Sequence, residues 1–311
     1  MNPTATALPL TPDLILRRPA LFTTEPVDPA TALGALFAAD GAGKGAPKSA
    51  AEAEALRRLA GPLAPAAALL PGRERERAAT LAAWIEALFA TAAEGDRVEK
   101  RLERLNRSAF VVARALAGEP VEAPFARRFA EESRRRLFPR RSLDLLLAEA
   151  RAATRQPLGS TPEEWEIRSR KLAGGVAEAL VGGEPSPSTV EAANAFVRLV
   201  RLARVQDDPA AGFHLAIESP PTPSGAPPRE AMVAAIAEEC EAIHPLLLRG
   251  ARAVGEVPLT FRAALAALLG LSIRLLGKIE SRPDDLLDGK IRLGRFERYW
   301  TLRLARRERF A

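Results

Sequence analysis

Cysteine is nearly absent from this chain: Cys240 is the only one in 311 residues. A single thiol cannot close an intramolecular disulfide or build a cysteine zinc site, so neither staple is available. Cys240 reads instead as a small buried hydrophobe. Aromatic residues are scarce at 5%, and β-branched residues are thin, which weakens any case for strands. Long apolar runs are also missing. The richest, residues 263–273, is bounded by Arg262 and Arg274 and falls short of the roughly 20 residues a spanning helix needs. The opening Met-Asn-Pro-Thr-Ala-Thr has no basic region followed by an apolar stretch, so no signal peptide is expected. A cytoplasmic protein is the expectation, with contact at the membrane periphery as a variant.

Charge of one sign does not dominate. Lys and Arg number 45 against 39 Asp and Glu, a net of +6. That excess reads as spread along the chain, without the basic stripe and stacking aromatics of a nucleic-acid binder, so no nucleic-acid partner is expected. Phosphate loops are missing too, because Gly41-Ala-Gly-Lys-Gly45 lacks the Walker spacing. There is no Gly-x-Ser-x-Gly elbow. His214 and His244 have no partner histidine at ligand spacing, and both read as structural.

What is abundant is alanine, leucine and arginine within a 47% hydrophobic composition, which favours packed helices. Residues 1–46 are rich in Pro, Ala and Gly and read as an N-terminal arm; residues 47–311 read as one helical domain. Apolar positions recur at helical spacing over 49–59, 73–93, 97–116, 123–137 and 140–154. The turn Pro157-Leu-Gly159 follows. Thr161 as cap and Pro162 at the first helical position then start a helix over 163–181. Ser188 opens the next helix. Five prolines between Ser219 and Pro228 forbid a regular helix there. Helices over 229–254 and 260–281 and a basic one from Gly294 complete about nine or ten. An all-α fold is expected.

Several local features recur in a telling order. Leu69-Leu-Pro-Gly-Arg73 precedes the first long helix, and Phe125 to Leu147 is an amphipathic stretch further on. Ser160-Thr-Pro-Glu-Glu-Trp165 runs into Lys171-Leu-Ala-Gly-Gly-Val176, and Gly277-Lys-Ile-Glu-Ser281, Asp284-Asp-Leu-Leu287 and Lys290 to Glu297 close the chain. From about residue 50 onward this order resembles the squalene and phytoene synthase family, the head-to-head prenyl transferases. The resemblance implies an isoprenoid (terpenoid) synthase architecture. It also implies two aspartate-rich helices facing each other, whose carboxylates hold the magnesium that stabilises a departing diphosphate.

Those acids are largely replaced here. Thr91 and Ala92 stand where the resemblance places the first acidic pair, and Glu94 lies near the third acid. On the second helix Arg204 replaces the first aspartate and Asp208 remains, at the i to i+4 spacing that shares a helical face. Val200 stands at the family's asparagine. The segment Gly212-Phe-His-Leu-Ala-Ile217 loses the family's basic residue after the glycine, and Arg168 replaces a tyrosine. Arg204 with Asp208 can be a simple intrahelical ion pair. The sharper reading gathers Arg168, Arg198, Arg201 and Arg204 around the former metal cavity, where guanidinium groups bind an anion without metal.

The expected function is therefore a squalene/phytoene synthase-like protein of isoprenoid metabolism. It would be a pseudoenzyme acting as a binding, assembly or regulatory subunit, without a bound metal or other cofactor. An isoprenoid diphosphate, another anionic or apolar ligand, or a protein partner would be its target. A second reading is an active prenyl transferase, using farnesyl or geranylgeranyl diphosphate and magnesium, with Asp207 and Asp208 as catalytic acids. Adjacent side chains on a helix diverge by roughly 100°, which disfavours that pair as a metal clamp. A third reading is a purely structural helical subunit. The arginine-rich tail from Arg292, with Phe296, Tyr299 and Trp300, reads as a helix docked on the core or resting on an anionic membrane.

Overall fold

The computed structural model describes residues 50–135, 138–155, 162–205 and 228–309. Among these residues there are helices and no strands. The N-terminal arm, the Thr161 cap, Asp207, Asp208, His214 and the 219–227 proline run lie outside the described residues.

Helix α1 spans Ala50–Ala60 and stops at Gly61, whose φ of +52° lies in the left-handed region. Gly61–Leu69 continues as a 3₁₀ segment; Pro62 and Pro65 withhold the backbone donors an α-helical ladder needs. Then follow α2 (Gly72–Ala93), α3 (Val98–Leu116), α4 (Pro124–Arg135), α5 (Arg140–Arg155), α6 (Pro162–Val181) and α7 (Pro187–Arg204). The second half holds α8 (Arg229–Gly250), the short α9 (Ala253–Glu256), α10 (Leu259–Ser281), the short α11 (Pro283–Leu287) and α12 (Arg295–Ala305). The expected helices are thus in place, and the two short ones and the 3₁₀ segment are additions. Proline occupies the first helical position in α4, α6, α7 and α11, where its missing N–H is not needed. Helix α7 is capped by Ser186, whose hydroxyl accepts from the Thr189 N–H at 3.2 Å, two residues earlier than the expected Ser188 start.

Among the described residues the apolar side chains form two large clusters and a small third one around Val205, Met232 and Ala235. One packs Trp84, Phe125, Phe129 and Phe138 among α2 to α5, with ring centroids 4.9–5.9 Å apart. The other gathers α7, α8, α10 and the 3₁₀ segment around Leu199, Ile236, Cys240 and Leu271. Helices α7 and α8 approach so closely that a Cβ on Gly250 would sit 2.7 Å from the Ala192 backbone. Helix α10 also differs from expectation. It runs for 23 residues and is long and apolar enough to cross a membrane by length and composition, because the helix extends past both flanking arginines. Here its buried positions Ala263, Ala267, Leu271 and Leu275 pack into the second cluster.

Candidate functional site

Between the two clusters lies a cavity of about 200 Å³. Helix α2 presents Ala78, Leu81, Ala82 and Ile85 to it, and α10 presents Phe261, Ala264, Leu265 and Leu268. Both sets follow i, i+3, i+4, i+7 spacing, the repeat that keeps side chains on one helical face. Helix α1, the 3₁₀ segment, α6 and α7 supply the remaining wall, including Leu59, Leu63, Leu180, Ala193 and Phe196. Thr189 is the one polar side chain among the lining residues. The small alanines leave the space that larger residues would fill, and such a lining offers a ligand apolar contact and almost no hydrogen bonding.

Helices α2 and α7 carry the two degenerate acidic positions, and both wall this cavity. Near its C-terminal end, α2 meets cations. Thr91 is fully buried, its hydroxyl has no hydrogen-bond partner, and Ala92 is buried beside it. Arg101 donates to the Ala92 carbonyl at 2.6 Å, complementing the negative end of the helix dipole. Glu94 is ion-paired with Arg104 at 2.5 Å, and Asp96 shares the same guanidinium at 2.6 Å. About two turns before Glu94, Glu86 receives two hydrogen bonds from Arg58 of α1, at 2.6 and 3.0 Å. Arg204, at the end of α7, donates to the Arg58 carbonyl at 3.2 Å. Helix α1 therefore straps α2 to α7 through guanidinium contacts.

The four arginines expected around an anion cavity sit elsewhere than the apolar cavity, and none of them lines it. Arg168 is buried and bonded to Glu149, Nε to Oε2 at 3.1 Å. Arg198 is buried and bridged to Glu239, which also accepts from the Trp165 indole at 3.1 Å. Arg201 lies over the Trp165 ring, 5.0 Å from its centroid. Arg204 is exposed and joined to α1 as described. The ion pairs arise because a buried guanidinium without a counter-charge is strongly disfavoured. Sequence reasoning passed over the partners Glu149 and Glu239. Their signal was an acid at an otherwise inward-facing position of an amphipathic helix. It also passed over the 3₁₀ segment, whose signal was an all-apolar stretch interrupted by two prolines.

Hard divalent cations require several oxygen ligands. Among the described residues no group of three or more His, Cys, Asp or Glu gathers to supply them. Among the described residues, Glu86 of α2 and Glu94 just after it are each held by an arginine. The described donor set does not fit magnesium.

Neither a protein-family model nor a curated protein matches the sequence. The class of molecule is nonetheless defined by architecture: an all-α, terpenoid synthase-like fold. Among solved structures it is similar to a dehydrosqualene synthase in complex with ligand, at a TM-score of 0.63 and 13% identity, over 82% of this chain and 94% of that one. It is also similar to the squalene synthase HpnC from Alicyclobacillus acidocaldarius, at a TM-score of 0.58 and 17% identity, over 78% of this chain and 95% of that one. At such identities the likeness is one of fold.

Proposed function

We propose that this chain is a non-catalytic protein of isoprenoid metabolism that holds the hydrocarbon tail of an isoprenoid in the cavity between α2, α7 and α10. A binding, assembly or regulatory subunit is the role this implies. The observation that carries the reading is a cavity walled by hydrocarbon except at Thr189, within a fold similar to squalene-type synthases. The replacement of the acidic pair by buried Thr91 and Ala92 and the capture of Glu94 by Arg104 support the absence of diphosphate ionisation. Tail burial then provides the affinity. Each buried methylene contributes about 0.8 kcal/mol, so binding tightens with chain length until the cavity is full.

Calorimetry with geraniol, farnesol and farnesyl diphosphate, each with and without magnesium, tests this. The expected result is farnesol binding tighter than geraniol and unaffected by magnesium. Binding of the diphosphate only in the presence of magnesium would overturn it. So would conversion of labelled farnesyl diphosphate into a squalene-type hydrocarbon that is lost in Asp208→Ala.

A further inference from the structure

Of the chain's net charge of +6, +5 falls between residues 292 and 309, where seven arginines stand against two glutamates. The excess is therefore concentrated, contrary to the even spread expected. Helix α12 lies in this segment and is clamped inward by the buried Thr301 and Ala305. A Cβ on Gly270 of α10 would come within 2.7 Å of the Thr301 methyl, so the two helices touch directly there. That fixes which face of α12 looks outward.

The outward face bears Phe296, Tyr299 and Trp300, exposed to 72%, 57% and 36%. Among the described residues, every large aromatic with that much exposure is on this one helix. Positions 296, 299, 300 and 303 follow helical spacing, so the rings and the Arg303 guanidinium form a single ridge. The rings pack edge to face, at 5.8 and 6.0 Å between centroids, and Arg303 lies 5.1 Å over the Trp300 ring. Leu304 continues the ridge to Ile273 of α10, both of them exposed beside a shallow groove.

We propose that α12 is an interfacial docking helix for an anionic lipid bilayer. Amphipathic aromatic residues with flanking arginines partition to the headgroup boundary, where the apolar rings enter and the cations meet lipid phosphates. The exposed rings lie among seven arginines between residues 292 and 309, a mixture of apolar and cationic groups that matches the acyl chains and phosphates of an anionic bilayer surface. Arg303 occupies one face of the Trp300 ring, a face that single-stranded nucleic acid would need for stacking. A second copy packed face to face about a two-fold axis would oppose the two arginine clusters. Helix α10, on which α12 rests, also walls the apolar cavity through Ala264, Leu265 and Leu268. The docked helix thus lies one helix away from the site proposed for a lipid-soluble ligand, although the docking does not depend on that ligand.

The full chain would be sedimented with phosphatidylcholine vesicles and with vesicles containing phosphatidylglycerol. Binding is expected to the anionic vesicles and to weaken with added salt. Trp84 and Trp165 are 2% and 3% exposed, so aqueous quenching of indole fluorescence reports Trp300, and vesicles are expected to suppress it. Arg303→Gln/Arg307→Gln should weaken binding roughly 25-fold, at about fivefold per arginine. Phe296→Ser/Trp300→Ser should abolish it while the far-ultraviolet circular dichroism is unchanged. Equal binding to both vesicle types, or Trp300 quenching unaltered by anionic vesicles, would overturn the proposal. Preference for single-stranded RNA over anionic vesicles at the same salt, or loss of the circular dichroism in both variants, would also overturn it.

Discussion

The Arg198 guanidinium meets the Glu239 carboxylate at two points, Nε to Oε1 at 2.7 Å and Nη2 to Oε2 at 2.6 Å, with both side chains buried. This bridge ties α7 to α8, and the Trp165 indole donating to the same Oε1 adds α6. An arginine anchored in this way cannot turn to a ligand phosphate without leaving a buried carboxylate unpaired. Glu239→Ala should therefore destabilise the fold by about 3–5 kcal/mol, because it strands a charge. Replacing both partners, as in Arg198→Met/Glu239→Leu, should cost much less. Urea midpoints of the three variants check this; equal losses for the single and double variants would contradict it.

Cys240 is fully buried on α8, and burial, reinforced by the charges of Glu280 and Glu239, pushes its thiol up to about 12. The folded state thus holds this proton more tightly than the unfolded chain, where the value is about 8.5. Its contribution to stability is complete below that unfolded value and is lost as pH rises towards the folded one, by at most about 1.4 kcal/mol per pH unit. The stability of the native protein should fall more steeply than that of Cys240→Ala above about pH 9. Denaturant titrations of both proteins across that range measure the difference. The thiol should also resist alkylation until the protein is unfolded.

The helices were legible because periodicity and proline placement are local signals. Pro162 marks a start that the backbone obeys, and the helical spacing of Leu81, Trp84, Ile85 and Leu88 matches the buried face of α2. The site was less legible, since it depends on which helix faces which. Arg168 and Arg198 read as cations around the former metal cavity because their partners Glu149 and Glu239 lie 19 and 41 residues away in sequence. The cavity was hidden for a related reason. Alanines such as Ala82 and Ala193 count as ordinary helix formers, and only the packing of six elements shows that together they leave a void. The outward face of α12 was half legible: the aromatic and basic residues were evident, but their common orientation required the contact with α10.

The Thr91 hydroxyl is buried with no hydrogen-bond partner, so it was desolvated on folding without compensation. Thr91→Val keeps the shape and removes the polar atom. It should leave stability unchanged or raise it by about 1 kcal/mol. Thr91→Asp, in contrast, would bury an unpaired carboxylate and should destabilise the protein by about 3–5 kcal/mol. Thermal or urea unfolding of the two variants separates a packing role from a latent metal site. A marked rise in the stability of Thr91→Asp on adding magnesium would show that the position can still serve as a ligand.

Ala193 projects from α7 into the cavity wall, and a larger side chain there would occupy the space assigned to an isoprenoid tail. Ala193→Trp should shorten the usable cavity, so affinity for farnesol should fall by about tenfold or more while geraniol, with fewer methylenes to accommodate, is affected less. Because the new side chain fills a void, its effect on stability should stay within about 1–3 kcal/mol, the range for modest overpacking. Titration calorimetry with both alcohols, beside urea unfolding of the unliganded variant, gives the two readouts. An unchanged preference for the longer alcohol in a folded Ala193→Trp protein would place the ligand outside this cavity, since the indole would then stand where the tail was supposed to lie.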